Sequence, residues 1–443
     1  MPDGMDKIEH LVIVTMENRS FDHYLGGLTA EGRADVEGLP DPPLALPDAA
    51  GSPVPAWDMD GLFRGYADSP HGWDDAHGSW DGGRCDGFVR QYEKDGGTPI
   101  NIPVGHYTRR TLPVAYALAD RFTVCDHWFC SVLSSTWPNR KYLLSGRRDD
   151  DDDTQTLPPF PGFGTTPFPD VLEDARDPAT GERLTWRSYF CDAPFLAFWY
   201  RFAAFHALSH FHRIDRFAED CRADRLPTVS LIDPPFSLAD DHPSHDVRLG
   251  QKFLGLVVDA LTTSEAWAKT ALVILYDENG GFADHVPPPR SFEAASGAGP
   301  VLDDPLGFRV PALVVSPYAR RGGVSKAAYD HTSVMKSIAV RWGVDFDPAV
   351  FGPRWALAPD IWADCFDFNQ DPLPMGLYTP PAFPALTWEA GVHDLLVGPV
   401  GYLEGLLERA FVLPGLKALD GRAQVFDGLA ALERQVAALR RML

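Results

Sequence analysis

Leu11-Val12-Ile13-Val14 is an unbroken, β-branched apolar run that leads almost at once into Met16-Glu17-Asn18. Such a run reads as a buried strand. A carboxylate and a carboxamide at its exit are costly to desolvate unless something binds them. The arrangement recurs. Residues 272–276 run into Asp277-Glu278-Asn279-Gly280-Gly281, and residues 310–315 run into Ser316-Pro317. Open α/β sheets place their ligands at strand ends. Oxygen donors delivered from separate strand ends suggest a hard divalent cation and phosphate chemistry.

Strand-like runs alternate with helical patterns along the chain. The reading gives a strand near 8–15, a helix near 112–119, a strand near 121–125 and a helix from about 137. A helix near 247–261, strands at 271–276 and 310–315 and a helix at 332–341 follow. This alternation predicts an α/β fold with a largely parallel sheet. Residues 28–70, rich in Pro, Gly and Asp, read as an irregular surface excursion. With 443 residues, 45% of them hydrophobic, the chain can bury one large domain, expected at 1–375, with an appendage at 376–443. From Ala423 onward, Phe426, Leu429, Leu432, Val436, Leu439 and Met442 recur at three- and four-residue steps. They predict an amphipathic C-terminal helix, whose mixed polar face favours packing on protein over membrane binding.

The formal charge of −23, from 62 acidic against 39 basic residues, repels polyanions and argues against nucleic acid as a partner. A cationic headgroup is attracted by the same field. The six cysteines, Cys85, Cys125, Cys130, Cys191, Cys221 and Cys365, form no C-x-x-C pair and read as free thiols. No apolar run approaches the roughly 20 residues that span a bilayer. The first strand begins within about ten residues, leaving no room for a secretory leader. The sequence as given therefore predicts a cytoplasmic protein, secreted or periplasmic if a leader was removed. The acidic run at 149–153 reads as a solvated loop, and the aromatic stretch 190–212 mainly as core.

Ser134-Ser135-Thr136-Trp137-Pro138-Asn139-Arg140 is the second chemical segment. Proline early in a helix, after hydroxyl residues, marks an N-terminus. A phosphoryl group is favoured there. Arg140, one turn on, is placed to fork onto phosphate oxygens. The spacing T-x-P-x-R parallels the sulfatase C-x-P-x-R, but threonine cannot form the oxidised aldehyde and leaves an alkoxide nucleophile. Histidines recur beside helix starts and strand ends: His71 and His77 in P-H-G-W-D-D-A-H, His242 in D-D-H-P, His285 in A-D-H-V and His331 in Y-D-H-T-S. At least three are expected to line one site.

Several long blocks extend across residues 8–342: M-E-N-R-S-F-D-H-Y-L-G, D-H-W-F-C-S-V-L-S-S-T-W-P-N-R, P-x-V-S-x-I-D-P, D-D-H-P and Y-D-E-N-G-G-F-A-D-H-V-P-P-P. R-V-P-A-L-V-V-S-P-Y-A-R and Y-D-H-T-S-V extend them. Together they resemble the bacterial and plant phosphoesterase family of non-specific phospholipases C and a respiratory-burst-inhibiting acid phosphatase. The resemblance implies an alkaline-phosphatase-like three-layer α/β/α sandwich. It implies a divalent metal held by Glu17, Asn18, Asp277 and Glu278 together with the Thr136 oxygen, and Thr136 as nucleophile. His71, His77, His242, His285 and His331 fall in matching blocks as the catalytic histidines, and Asn139, Arg140 and Asp241 are expected at the substrate. The oxygen ligands favour Ca²⁺, Mg²⁺ or Mn²⁺, with Zn²⁺ favoured if a histidine reaches the ion.

The expected activity is metal-dependent phosphoric-ester hydrolysis of the phospholipase C type, through a phosphothreonine, on a phospholipid or choline-type diester. One alternative is an acid-phosphatase-like phosphomonoesterase acting on small metabolites. Another is a headgroup-binding protein without turnover. The family's usual secretion leader is absent from these 443 residues.

Overall fold

The computed structural model describes residues 4–149, 153–154, 162–297 and 303–376. The chain divides into two units, 1–383 and 384–443, and every described residue belongs to the first. The expected appendage at 376–443 and its amphipathic helix therefore lie outside the described residues, apart from Gly376.

Eight strands form one sheet: β1 His10–Met16, β2 Thr123–Cys125, β3 Trp186–Phe190, β4 Phe211–Arg213, β5 Val229–Asp233, β6 Thr270–Tyr276, β7 Ala312–Val315 and β8 Val324–Ser325. Their order is β8-β2-β7-β6-β1-β5-β3-β4. Only β7 runs against its neighbours β6 and β2; every other pair is parallel. Each residue of β1 and β6 is buried, as parallel strands covered on both faces must be. Helices group accordingly. Helix Val247–Thr262 packs against Pro113–Arg121 and Ile214–Arg222, and helix Thr136–Ser145 packs against Thr332–Trp342.

The apolar runs located β1, β2, β6 and β7 within a few residues. Strands β3 (W-R-S-Y-F), β4 (F-H-R), β5 (V-S-L-I-D) and β8 (V-S) are not legible in the sequence, because they are short or have polar residues breaking the apolar run. The excursion at 28–70 differs from an irregular loop in holding three short strands, Ala45–Pro47, Pro53–Pro55 and Trp57–Asp58. Prolines at the ends of the first two keep them from extending. All six cysteines are free, five of them buried and Cys191 half-buried. In the aromatic stretch, Phe195, Leu196, Phe198 and Trp199 are buried, whereas Phe205 is 84% exposed. No helix among the described residues is long and apolar enough to cross a membrane.

Candidate active site

Strands β1 and β6 pair in register to their last residues, Met16 opposite Tyr276. The next residues, Glu17-Asn18 and Asp277-Glu278, therefore emerge side by side at the carboxyl edge of the sheet. The Asp277 N–H donates to the Met16 carbonyl at 3.0 Å, one bond past the strand. Asp277 Oδ1 then accepts from the Asn18 N–H (3.1 Å) and the Glu278 N–H (2.8 Å), locking the two exits together. Strand β5 contributes Asp233 at the same edge.

Gly280 and Gly281 complete this corner, and only glycine fits there. Both sit at positive φ, 60° and 68°. A Cβ on Gly280 would come within 2.2 Å of the Asn18 carbonyl oxygen, and one on Gly281 within 2.5 Å of Ser69 Cβ. The pair lets two other loops touch the backbone directly. One of them carries His71. Its Nδ1 lies 2.5 Å from the Ser69 carbonyl, which fixes the ring. Its Nε2 lies 3.2 Å from Asn18 Nδ2 and 3.6 Å from Glu278 Oε1. Burial opposes a charge on His71, but Glu278 and Asp68 outweigh it and raise its pKa to about 9. Burial raises Glu278 to about 8, with His71 opposing and Asp277 adding. Glu17 is also pushed well up, by burial and then by Asp277, against the pull of Arg140.

Thr136 is the first residue of helix Thr136–Ser145, and Ser135 is its N-cap. Thr136 therefore does not cap the helix. Ser135 turns its hydroxyl to Asp153 and Thr154, and Thr154 Oγ1 accepts the Trp137 N–H at 3.0 Å. Arg140, one turn further on the same face, touches Glu17 and Asp277. That contact sets the start of the helix beside the two strand exits.

Arg140 departs from the expected role. It is fully buried, with Nη2 2.7 Å from Glu17 Oε1, Nε 3.0 Å from Asp277 Oδ2 and Nη1 3.3 Å from Asp233 Oδ1. Its guanidinium is shared among three carboxyl groups and does not face outward to a phosphate. Asn139 departs too: its Oδ1 accepts the Val132 N–H, and its Nδ2 donates to the carbonyls of Val132, Ser134 and Ser135. With every polar atom so engaged, Asn139 shapes the turn that presents Thr136. The signal for Asp233, missed in the sequence, was the I-D-P within P-x-V-S-x-I-D-P, where an acid follows a strand.

The histidines separate into four settings. His71 and His242 are neighbours, with ring centroids 6.3 Å apart and Asp68 3.9 and 3.8 Å from them respectively. His331 is wholly buried, its Nδ1 accepting from Trp128 Nε1 at 3.3 Å and its Nε2 donating to the Asp277 carbonyl at 2.6 Å. With both nitrogens occupied and burial lowering its pKa, His331 holds the β6 exit and has no free nitrogen for a substrate proton. His77 bonds the Trp73 carbonyl within its own helix, Trp73–Trp80, and lies against the Trp73 and Trp80 rings. Its contacts lie outside the carboxylate group. His285 pairs with Asp22 at 2.7 Å in a buried cluster with Asp284 and Arg309.

Asp241 also lies off the expected surface. It is fully buried at φ 76°, its Oδ2 accepts from the Tyr24 and Tyr276 hydroxyls, and its carbonyl accepts from Arg19 Nε. Burial raises its pKa to about 7. Its neighbour Asp240 is nearer the chemistry, accepting the Glu17 N–H through its carbonyl and His245 Nδ1 through Oδ1.

The donor set suits a cation. Asn18 Oδ1 and Glu278 Oε1 are among the buried oxygens of the described residues that have no hydrogen-bond partner, and both lie at this corner. Unpartnered buried oxygens that belong to a carboxylate and a carboxamide are the donors a hard divalent ion takes.

A profile of the phosphoesterase family matches residues 8–345. Phospholipase C B of Mycobacterium tuberculosis strain H37Rv is 34% identical, over 84% of this chain and 80% of the relative. The non-hemolytic phospholipase C of Pseudomonas aeruginosa is 31% identical over 84% of this chain and 59% of its own. The non-specific phospholipase C1 of Arabidopsis thaliana is 31% identical over 81% and 70%. A solved protein of the alkaline phosphatase superfamily from Vibrio parahaemolyticus aligns with a TM-score of 0.38 at 12% identity, over 80% of this chain and 70% of that one. Blocks carrying strand-end acids, a helix-start threonine and a glycine corner, matched over most of the described unit, place the chain in the phosphoesterase family, among the phosphoric-ester hydrolases.

Proposed function

We propose that this protein is a phospholipase C type phosphodiesterase that works through a phosphothreonine at Thr136, with a divalent ion held by Glu17, Asn18, Asp277 and Glu278. The observation that carries the reading is the pair of unpartnered buried oxygens, Asn18 Oδ1 and Glu278 Oε1, at the corner beside the Thr136 helix. The relatives named phospholipase C support the substrate class. When bound, the ion supplies positive charge against the phosphate oxygens and lowers the pKa of a neighbouring hydroxyl.

The protein's own groups do the rest. Thr136 Oγ attacks phosphorus in line as its proton leaves to water, and the bond from phosphorus to the alcohol oxygen breaks. The departing oxygen takes its proton from a histidine, and His242 is the candidate: its side chain is 31% exposed, beside Asp68. Water then attacks phosphorus and breaks the Thr136–phosphorus bond, one of its protons returning to the same ring while Thr136 Oγ regains a proton from solvent. His71 keeps Nδ1 on the Ser69 carbonyl and aims Nε2 at the Asn18 and Glu278 side chains. It serves the donor set as a positive counter-charge beside Glu278.

Arg140 favours diesters over monoesters. A monoester carries a second phosphate charge that needs a further cation. The Arg140 guanidinium is committed to Glu17, Asp277 and Asp233. The net charge of −23 attracts a choline-like headgroup. Hydrolysis of p-nitrophenylphosphorylcholine against p-nitrophenylphosphate, with and without chelator, tests the reading. Faster cleavage of the choline diester, abolished by chelator, is expected. Preference for the monoester promotes a phosphomonoesterase, and turnover of neither substrate, with headgroup binding kept, promotes a binding protein.

A further inference from the structure

A second cluster of metal-binding side chains lies away from the carboxylate corner. Helix Tyr200–His210 carries His206 and His210 one turn apart. The i, i+4 spacing sets two imidazoles on one face, where they can grip a single ion. Glu173 completes the group. Its Oε1 is 3.1 Å from His210 Nε2 and 3.6 Å from His206 Nδ1, and the three donor atoms lie within 4.8 Å of one another. Metal–ligand bonds of about 2.0–2.1 Å in a tetrahedral zinc site separate the ligand atoms by roughly 3.3 Å. Both Glu–His distances already straddle that value.

The surroundings orient each donor as outer contacts do in metal sites. Trp186 Nε1 donates to Glu173 Oε1 at 2.6 Å, and Ser209 Oγ lies 2.7 Å from His210 Nδ1. The Trp186 ring stacks on His210 with centroids 4.3 Å apart. Asp170 Oδ1 stands 4.0 Å from His206 Nε2, on the side away from Glu173. Two nitrogens and one carboxylate oxygen favour a borderline ion over Ca²⁺ or Mg²⁺. A hydrogen-bonded Glu–His pair is the blander account of the same atoms, and it takes up no ion.

We propose that Glu173, His206 and His210 form a second metal site that takes one divalent ion of the Zn²⁺ class, with water at the remaining position. Trp186 opens strand β3, so the site lies at the amino edge of the sheet, opposite the edge that carries Glu17 and Asp277. It clamps helix Tyr200–His210 to the turn after helix Pro169–Leu172. The clamp reaches the active-site helix through Trp199 and Phe198: they pack on Phe163, and Phe163 and Phe198 both pack on Trp137. The role is structural and independent of the catalytic reading.

The test is zinc stoichiometry on the full chain, stripped with chelator and re-equilibrated with Zn²⁺ alone. His206→Ala/His210→Ala should hold one equivalent fewer than the parent while keeping turnover within about twofold. Glu17→Ala should lose catalysis yet keep the His206/His210 equivalent. Loaded with Co²⁺, the Glu17→Ala protein should show the visible bands of a tetrahedral nitrogen–oxygen site, and these should vanish when the two histidines are also replaced. Should the double variant fail to fold, Trp186→Phe keeps the ring and removes the donor to Glu173, and should weaken this site's Zn²⁺ affinity about 10–100-fold. Equal zinc content in the parent and the His206/His210 variant, no zinc in Glu17→Ala, or unchanged affinity in Trp186→Phe overturns the proposal.

Discussion

Arg140 Nη2 lies 2.7 Å from Glu17 Oε1, and the same guanidinium reaches Asp277 Oδ2 at 3.0 Å. A cation built into the helix that starts at Thr136 thus balances the acids expected to hold a metal. Removing it strands up to three buried carboxylates. Arg140→Met should therefore destabilise the protein by about 3–5 kcal/mol, lowering the melting temperature by several degrees in calorimetry, with partial recovery on adding divalent ion. An arginine that only held phosphate would raise KM and leave the melting temperature unchanged.

Thr136→Ala should lose essentially all turnover of p-nitrophenylphosphorylcholine. Its stability should shift by no more than about 1 kcal/mol, because Ser135, not Thr136, is the N-cap. Rapid-quench trapping of labelled phosphoprotein should find the label on residue 136 of the parent and nowhere in the variant. Activity within about tenfold of the parent would mean another nucleophile.

Gly281→Ala should cut kcat far more than its distance from Thr136 in sequence suggests. The new Cβ meets Ser69 Cβ at 2.5 Å and the Pro70 carbonyl at 2.8 Å, in a backbone conformation of φ 68°. The loop that carries His71 must shift by at least a few tenths of an ångström, at a cost of about 1–3 kcal/mol. Gly297→Ala, also at positive φ but with nothing among the described residues near its Cβ, should lose stability without a comparable loss of kcat.

Asp241 should make stability fall as pH rises. Burial holds its folded pKa near 7, against about 3.9 in an unfolded chain. Between those values the folded form binds more protons than the unfolded form, so unfolding becomes easier with rising pH. The contribution is full below about pH 4 and lost as pH climbs toward 7. Asp241→Asn keeps an acceptor for the Tyr24 and Tyr276 hydroxyls, and should flatten that slope in urea titrations run at pH 4.5, 6 and 7.5.

The sequence was legible where chemistry coincides with an apolar run. β1 and β6 are continuous hydrophobic segments, so their exits, and hence Glu17, Asn18, Asp277 and Glu278, stood out at once. The orientation of a side chain was less so. Arg140 lies one helical turn from Thr136, and spacing alone places it on the right face. Whether that face meets a ligand or a set of carboxylates depends on strands more than a hundred residues away. His331 shows the same limit: beside a helix start it resembles a catalytic histidine, and only Trp128 and the Asp277 carbonyl reveal that both nitrogens are taken. Asp240 and Asp241 are adjacent in sequence, yet one supports Glu17 and the other is sealed beneath two tyrosines.

The pairing of β1 with β6 joins residues 10–16 to residues 270–276, and this has a consequence for synthesis. Strand β1 leaves the ribosome well before this central partner and cannot pair with it until residues 270–276 have been made. Through that interval Leu11-Val12-Ile13-Val14 is an unpaired, sticky edge, and such segments are where chains self-associate before they finish folding. Slow translation or a scarcity of chaperones should therefore reduce the yield of soluble protein more than a loss of final stability would suggest. The strand that carries Glu17 and Asn18 at its end is thus also an opening for misassembly.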